Sequence, residues 1–436
     1  MIETTILFFI IAAIIIIGYL SSVFFEKTKI PDIIILMFLG LLIGPIFNVF
    51  GNGITSAFRS TMPFFSALAL IIMLFQGGLH INFFRVLKSL GKAAIFTMAV
   101  FLLTAAAITL LLNNAFGWGI LESALLGVIL GGTCSTIVAS TINKTSASEE
   151  TVMLLDLESS ITDAFSVILA FAVVGLMKAK EINFSVIGND ILAAFSISAV
   201  IAFVAALVWL KIKRRLYQGK YEYLLTIAVL LLLYAFVEYF RANGAIAALT
   251  FGVILGNAKE ITAMLRLSPK DIDYRVVLFQ EEISFFVRTF FFVYLGMVFD
   301  LKAVSIEMIV IAAAIMAIIF AARLLGAEFV TVLSRSFSKD RKIIAAMMPR
   351  GLAAAVLASM AVGIGLQQDY SRILYISFLV IIMSNMFTAA GILISERKAK
   401  AGTKDESMEE IDVAKEIENG KKAEGAKKEG RAKSKG

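Results

Sequence analysis

Apolar residues run through this chain in long blocks, separated by short polar or basic clusters, with no sustained alternation of apolar and polar positions. A helix that crosses a bilayer needs roughly 20 mostly apolar residues, fewer where protein shields it. On that measure thirteen segments qualify, at about 4–24, 31–49, 62–79, 92–112, 118–142, 151–177, 187–212, 222–240, 244–257, 282–299, 304–334, 341–366 and 371–395. The fifth, ninth and twelfth are the least regular. The blocks are far longer than the strands of about 10 residues that build membrane barrels. The pattern therefore predicts an all-α polytopic membrane protein.

Basic residues in the short connections give an orientation, because cytoplasmic loops are enriched in Lys and Arg. Alternate loops hold 19 of them on one side (Lys27 and Lys29; Arg85, Lys88 and Lys92; Lys144; Lys211, Lys213, Arg214, Arg215 and Lys220; Lys259, Arg266, Lys270 and Arg275; Arg335, Lys339, Arg341 and Lys342). The other side holds 6: Arg59, Lys178, Lys180, Arg241, Lys302 and Arg372. The amino terminus is expected outside and the tail in the cytoplasm of a cell with a multi-pass protein in its membrane. Met1, Ile2 and Glu3 give the first segment no basic start, so it reads as a span rather than a cleaved signal.

Composition agrees: 59% of the 436 residues are apolar and 17% are charged. Residues 397–436 change to Lys, Glu, Ala and Gly with 12 basic residues. Such a stretch buries too little apolar surface to fold alone and is expected to be a disordered cytoplasmic tail. The net charge of +7 is then partly a topological address and requires no nucleic-acid partner. One cysteine, Cys134, excludes an intramolecular disulfide framework, and one histidine, His80, leaves little for a transition-metal site. His80, at a span edge, reads as an interfacial residue. No Walker-type GxxxxGK[ST] sequence occurs, so nothing points to ATP, and neither a cofactor nor an enzyme activity is expected.

Charged side chains deep in a membrane segment cost at least about 2.5–3.5 kcal/mol on insertion scales and mark function by default. Asp163 lies near the midpoint of the sixth segment, within Asp156-Leu157-Glu158-Ser159-Ser160-Ile161-Thr162-Asp163. Helical spacing puts Glu158 with Thr162 on one face and Ser159 with Asp163 on the adjacent one. Arg323 and Arg350 lie inside the eleventh and twelfth segments and need partners. Glu158 is the economical partner for Arg323, which leaves Asp163 without a fixed countercharge, open to either a proton or a metal cation. Arg350 either binds an opened backbone or shapes the local field. Arg288, close to Glu281 and Glu282, reads as locally paired or snorkelling.

Gly131-Gly132-Thr133-Cys134-Ser135-Thr136 in the fifth segment is a poor helix centre and a good place for an unwound crossing. Pro349-Arg350-Gly351 in the twelfth is a second break, since Pro removes a donor and Gly loosens the turn. Paired interruptions of this kind point to an inverted-repeat secondary transporter.

On these residues the chain resembles the monovalent cation/proton antiporter superfamily, in particular its archaeal and bacterial NhaP-type members and the eukaryotic sodium/proton exchangers. Further matching features are Pro31 with Gly40, Gly44 and Pro45; Phe75-Gln76-Gly77-Gly78-Leu79; Phe291 to Gly296; and Arg323-Leu324-Leu325-Gly326. The resemblance spans residues 1–396 and implies an inverted-repeat, NhaA-like fold in a homodimer. In it an ion-carrying core, mainly 92–177 and 304–395, slides elevator-fashion against a dimerisation domain. It implies that Asp163 is the site of H⁺ and cation exchange, Ser159 a side-chain ligand and Thr133 a ligand at the crossing. Glu158 and Arg323 correspond to a stabilising ion pair. Thr162, Cys134 and Gln76 complete the expected ion-binding set but depart from the family's residues. Where relatives read Thr-Asp-Pro this chain has Thr133-Cys134-Ser135, the Asn before the essential Asp is Thr162, and a common Glu is Gln76.

The implied activity is antiport of Na⁺ and/or K⁺ against H⁺, electroneutral at one for one, serving pH homeostasis. Fewer carboxylates around the ion should weaken the field and either favour the more easily dehydrated K⁺ or lower the affinity for Na⁺. Two other transport readings stay open: a potassium efflux system of the glutathione-gated type, and a sodium-coupled organic-solute symporter of similar architecture. A non-transporting membrane scaffold would not need a midplane Asp with paired breaks.

Overall fold

Where water is absent, a segment must satisfy its backbone N–H and C=O groups internally, so long apolar runs fold as helix. The computed structural model describes residues 2–28, 30–47, 51–81, 92–178, 184–215, 222–264, 274–362 and 371–395, and among these the regular structure is all helical. The loop cations Lys29, Arg85, Lys88, Lys180, Lys220, Arg266 and Lys270, the His80 side chain and the tail 397–436 lie outside the described residues.

The helices in chain order are α1 (Ile2–Thr28), α2 (Asp32–Leu41), α3 (Gly51–His80), α4 (Lys92–Phe116), α5 (Ile120–Gly131), α6 (Ser135–Ile142), α7 (Glu149–Lys178) and α8 (Phe184–Arg215). They continue as α9 (Glu222–Tyr239), α10 (Gly244–Gly256), α11 (Ala258–Met264), α12 (Tyr274–Val298), α13 (Ile306–Leu333), α14 (Arg341–Ala346), α15 (Leu352–Val362) and α16 (Ser371–Ser395). Eight helical segments among the described residues are long and apolar enough to cross a bilayer, or nine if the pair α10 and α11, bent by 74°, counts as one.

Each of the three least regular segments carries an interruption. The fifth opens at Gly132–Cys134 between α5 and α6, the twelfth at Met347–Gly351 between α14 and α15, and the ninth bends at Asn257. Asn257 holds its bend by donating Nδ2 to Ile81 O at 2.7 Å and to Val253 O at 2.8 Å. In α2 the helix widens to a π turn over Leu42–Ile46, around Pro45, which has no N–H to give to the ladder.

Packing sorts the helices into two groups. In one, α2 lies along α12, α3 along α10, and α10 also against α8 and α9. In the other, α4, α5, α6 and α7 pack on one another, with α13 on α4, α14 on α13, and α15 on α5 and α7. Helix α3 touches both groups, through α15 and α7.

Apolar side chains gain little by leaving lipid for a helix face, so close backbone approach through small residues carries much of this packing. Between α2 and α12, a Cβ on Gly40 would lie 2.8 Å from Gly296 Cα, and one on Gly296 2.9 Å from Gly40 Cα. Between α3 and α10, a Cβ on Gly78 would sit 2.5 Å from Leu249 O, and Cβ atoms on Gly252 and Gly256 would run into the carbonyls of Phe75 and Leu79. Electrostatics joins α2 to α12 as well: Arg288 donates Nη2 to Asp32 Oδ2 at 3.0 Å. That countercharge comes from another helix, which spacing along α12 does not reveal.

The packing makes the effect of added side chains directional. Gly252→Val places branched carbons on the α3 backbone, which cannot yield as a flexible side chain would, and is expected to cost more than about 2 kcal/mol. Gly77→Ala, where no atom lies within 4 Å of the new Cβ, should leave stability unchanged or raise it. Thermal unfolding of both variants in one detergent checks the contrast.

Candidate ion-binding site

The two breaks meet. Cys134 N–H donates to Pro349 O at 2.9 Å, joining the opened backbone between α5 and α6 to that between α14 and α15. Contact is close because Gly351 has no side chain: a Cβ there would lie 2.9 Å from Cys134 Cβ and collide with Sγ. The Cys134 thiol is buried and turns along its own helix, 3.2 Å from Thr136 Oγ1.

Interrupting a helix leaves carbonyls without donors at one end and N–H groups without acceptors at the other, and concentrates opposite partial charges there. Arg350 meets the carbonyl end of α5, with Nε donating to Leu130 O at 2.7 Å and Nη2 to Gly131 O at 3.4 Å. Its Nη1 also reaches Met348 O at 3.1 Å within its own opened segment. Asp163 meets the N–H end of α6: its Oδ2 accepts Ser135 N–H at 2.9 Å and Ser135 Oγ–H at 2.6 Å. A cation thus faces the negative helix end and an anion the positive one.

Helix α7 supplies the wall opposite the break. Thr162 Oγ1 accepts Thr133 N–H at 3.2 Å, lies 3.4 Å from Thr133 Oγ1, and donates to Ser159 O at 3.2 Å. Glu158, Ser159, Thr162 and Ser166 are buried, whereas Asp163 is half-buried. Close packing forces the approach, since a Cβ on Gly132 would sit 2.7 Å from Ser166 Oγ and 3.0 Å from Thr162 O.

Arg323 of α13 is ion-paired with Glu158 through Nη1 and Oε1, and both side chains are buried. Its Nε also donates to Ile344 O at 2.8 Å, in the last turn of α14. One guanidinium therefore ties α7, α13 and α14 together. Glu158 Oε2 and Arg323 Nη2 find no partner among the described residues, so the pair is held by one contact rather than a fork.

The family model described as "Sodium/hydrogen exchanger, transmembrane" matches residues 10–395. The chain belongs to the sodium/hydrogen exchanger family. Na(+)/H(+) antiporter 1 of Methanocaldococcus jannaschii is 25% identical over 372 residues, 82% of this chain and 83% of the relative. The K(+)/H(+) antiporter NhaP of Alkalimonas amylolytica is 23% identical over 257 residues, 57% of this chain and 44% of that protein. Among solved structures, that of the sodium proton antiporter MjNhaP1 from M. jannaschii at pH 8 matches with a TM-score of 0.73 at 21% identity, over 91% of this chain and 99% of that one. The fold is thus that of an NhaP-type exchanger.

Within this exchanger the expected residues are not all gathered at one point. Thr133 and Thr162 are brought together, and Asp163 reaches the crossing. Ser159 instead donates Oγ to Asp156 O at 3.2 Å along its own helix, and Gln76, half-buried in α3, makes no hydrogen bond to Asp163.

Other residues of the site lie outside the expected ion-binding set. Ser135 belongs to the predicted crossing, but nothing in the sequence pairs it with Asp163. In α16, Ser384 Oγ accepts Arg350 N–H at 3.1 Å and Asn385 Nδ2 donates to Arg350 O at 2.7 Å, so the Arg350 backbone is held on both sides. The only signal for that pair is two polar residues inside an apolar block. Asp340, buried before α14, accepts Ser148 N–H at 2.9 Å, Ser148 Oγ–H at 2.6 Å and Thr151 Oγ1–H at 2.8 Å, fixing the start of α7.

Removing one member of a buried ion pair strands the other charge and costs about 3–5 kcal/mol. Glu158→Gln and Arg323→Gln are each expected to lower thermal stability by that order. The double exchange Glu158→Arg with Arg323→Glu should recover part of the loss, read as the melting temperature of purified protein.

Proposed function

We propose that this exchanger performs secondary active antiport of a monovalent cation, Na⁺ and/or K⁺, against H⁺, with Asp163 carrying either ion in turn. One observation carries the reading: a carboxylate midway along a membrane helix is held by neutral donors alone, at the contact of two interrupted helices. The named activities of its M. jannaschii and A. amylolytica relatives support the same assignment.

A carboxylate so placed can be neutralised by a proton or by a cation but stays charged when empty. Carrying a bare charge through an apolar barrier costs several kcal/mol, so only the loaded forms cross readily, and the two flows become coupled. A single carboxylate at the crossing supports one-for-one, electroneutral exchange, since Cys134 offers no second one. Thr133, Thr162, Ser159, Cys134 and Gln76 are the neighbouring groups proposed to complete the ion's path, with Arg350 setting the field at the crossing. A site poor in carboxylates holds its ion in a weak field, which favours the more easily dehydrated K⁺ over Na⁺ or lowers affinity for Na⁺.

The proposed moving unit is the core of residues 92–177 and 304–395, in a homodimer whose remaining helices stay fixed, with thirteen crossings, the amino terminus outside and the tail in the cytoplasm of a cell membrane. Mutual packing of α4–α7 with α13–α15 supports that division.

Everted membrane vesicles carrying an acid-interior pH gradient, followed by fluorescence dequenching on addition of Na⁺, Li⁺ or K⁺, test the reading. Wild type should dequench and Asp163→Asn should not, while the variant still inserts. Exchange at the wild-type rate in Asp163→Asn overturns it. Strong Na⁺/H⁺ exchange with no K⁺/H⁺ exchange would remove the potassium preference alone.

A further inference from the structure

The Asp163 carboxylate is held asymmetrically. Both Ser135 donors converge on Oδ2, N–H at 2.9 Å and Oγ–H at 2.6 Å, while Oδ1 takes no hydrogen bond from the described residues. Among the described residues the same grip occurs once more, where Ser148 gives its N–H at 2.9 Å and Oγ–H at 2.6 Å to Asp340 Oδ2. There the carboxylate is buried, takes a third donor from Thr151 and anchors a helix start. Asp163 differs in being half-buried with one oxygen open.

We propose that Ser135 is a specificity-determining residue of this exchanger: by occupying Oδ2 of Asp163 it leaves one carboxylate oxygen for the cargo cation and so biases the site toward the larger alkali ion. This rests on the antiport reading at Asp163. Both Ser135 groups bear on the same oxygen when a cation arrives at Oδ1. The hydroxyl has one proton to give and keeps it on Oδ2. The N–H is fixed by the first turn of α6 and cannot turn, so it goes on drawing charge from Oδ2. Hydrogen bonds to an ionised acceptor are roughly twice as strong as neutral ones, which makes this a sizeable reduction of the field the cation meets. A small cation, costlier to dehydrate, needs that field more than a large one does.

None of the other described polar or charged groups nearby bonds this carboxylate. Arg350 spends its guanidinium on Leu130 O, Gly131 O and Met348 O. Glu158 is paired with Arg323, and the Cys134 thiol lies against Thr136. Ser135 is thus the only described residue that bonds the Asp163 carboxylate.

The test uses the full chain in proteoliposomes, with the apparent KM for Na⁺ and for K⁺ measured at one alkaline pH. Ser135→Ala keeps the N–H and removes the hydroxyl. Ser135→Pro removes both donors at the first position of α6, where a helix tolerates proline because that N–H has no partner within the helix. Ser148→Ala breaks the equivalent grip away from the ion. The ratio of KM for Na⁺ to KM for K⁺ is expected to fall about 3-fold in Ser135→Ala and about 10-fold in Ser135→Pro, a fraction of the full worth of one and two hydrogen bonds to a charged group, because most of that worth is common to both ions. It should stay unchanged in Ser148→Ala, because general loosening would affect both ions alike.

An unchanged or raised ratio in the Ser135 variants overturns the proposal, as does a fall of the same size in Ser148→Ala. If Ser135→Pro fails to accumulate, Ser135→Ala decides alone. Exchange that survives in Asp163→Asn would sink the antiport reading, whereas an unmoved ratio with Asp163-dependent exchange intact sinks only the assignment to Ser135.

Discussion

A helix broken inside a membrane must have its two new ends electrically satisfied without water, and the arrangement around residues 132–134 and 347–351 answers that constraint. Arg350 covers the carbonyl end of α5, and Asp163 covers the N–H end of α6. Each charge costs several kcal/mol to bury alone, and each offsets part of that cost against a helix end of opposite sign. The direct bond from Cys134 to Pro349 then fixes the two breaks against each other.

The surrounding structure keeps this compensation in register. Helix α7 presents Glu158, Thr162 and Asp163 to three different partners, and its start is fixed by Asp340. Arg323 links it to α13 and α14, while Ser384 and Asn385 of α16 grip the Arg350 backbone. Neighbouring glycines serve the same end by permitting approach: Gly132 lets α7 come close, and Gly351 leaves room for Cys134. At the crossing, Asp163 combines partial exposure with an oxygen that takes no hydrogen bond from the described residues.

Much of this was legible in the chain. The apolar blocks foretold the helices, because no other backbone form spans lipid in segments of that length. Gly131-Gly132 and Pro349-Arg350-Gly351 foretold the breaks, because those residues disfavour a continuing helix. Asp163 stood out as a charge where charges are expensive. The side-chain directions were less legible. Ser159 shares a helical face with Asp163 by spacing, yet its hydroxyl turns back to its own helix. A serine in a helix has a nearby carbonyl always available, and periodicity cannot say which acceptor it takes. The contacts of Ser135, Ser384 and Asp340 were not legible because their partners lie 28, 34 and up to 192 residues away along the chain.

By itself, then, the sequence determined the solvent in which the chain folds, where its helices run and break, and which carboxylate lies midway along a span, since all of these follow from local hydropathy and backbone chemistry. Only the tertiary structure decided which donors meet that carboxylate, which oxygen they leave open, and which carbonyls hold Arg350. Those are contacts between distant segments, set by how closely small residues let the helices approach.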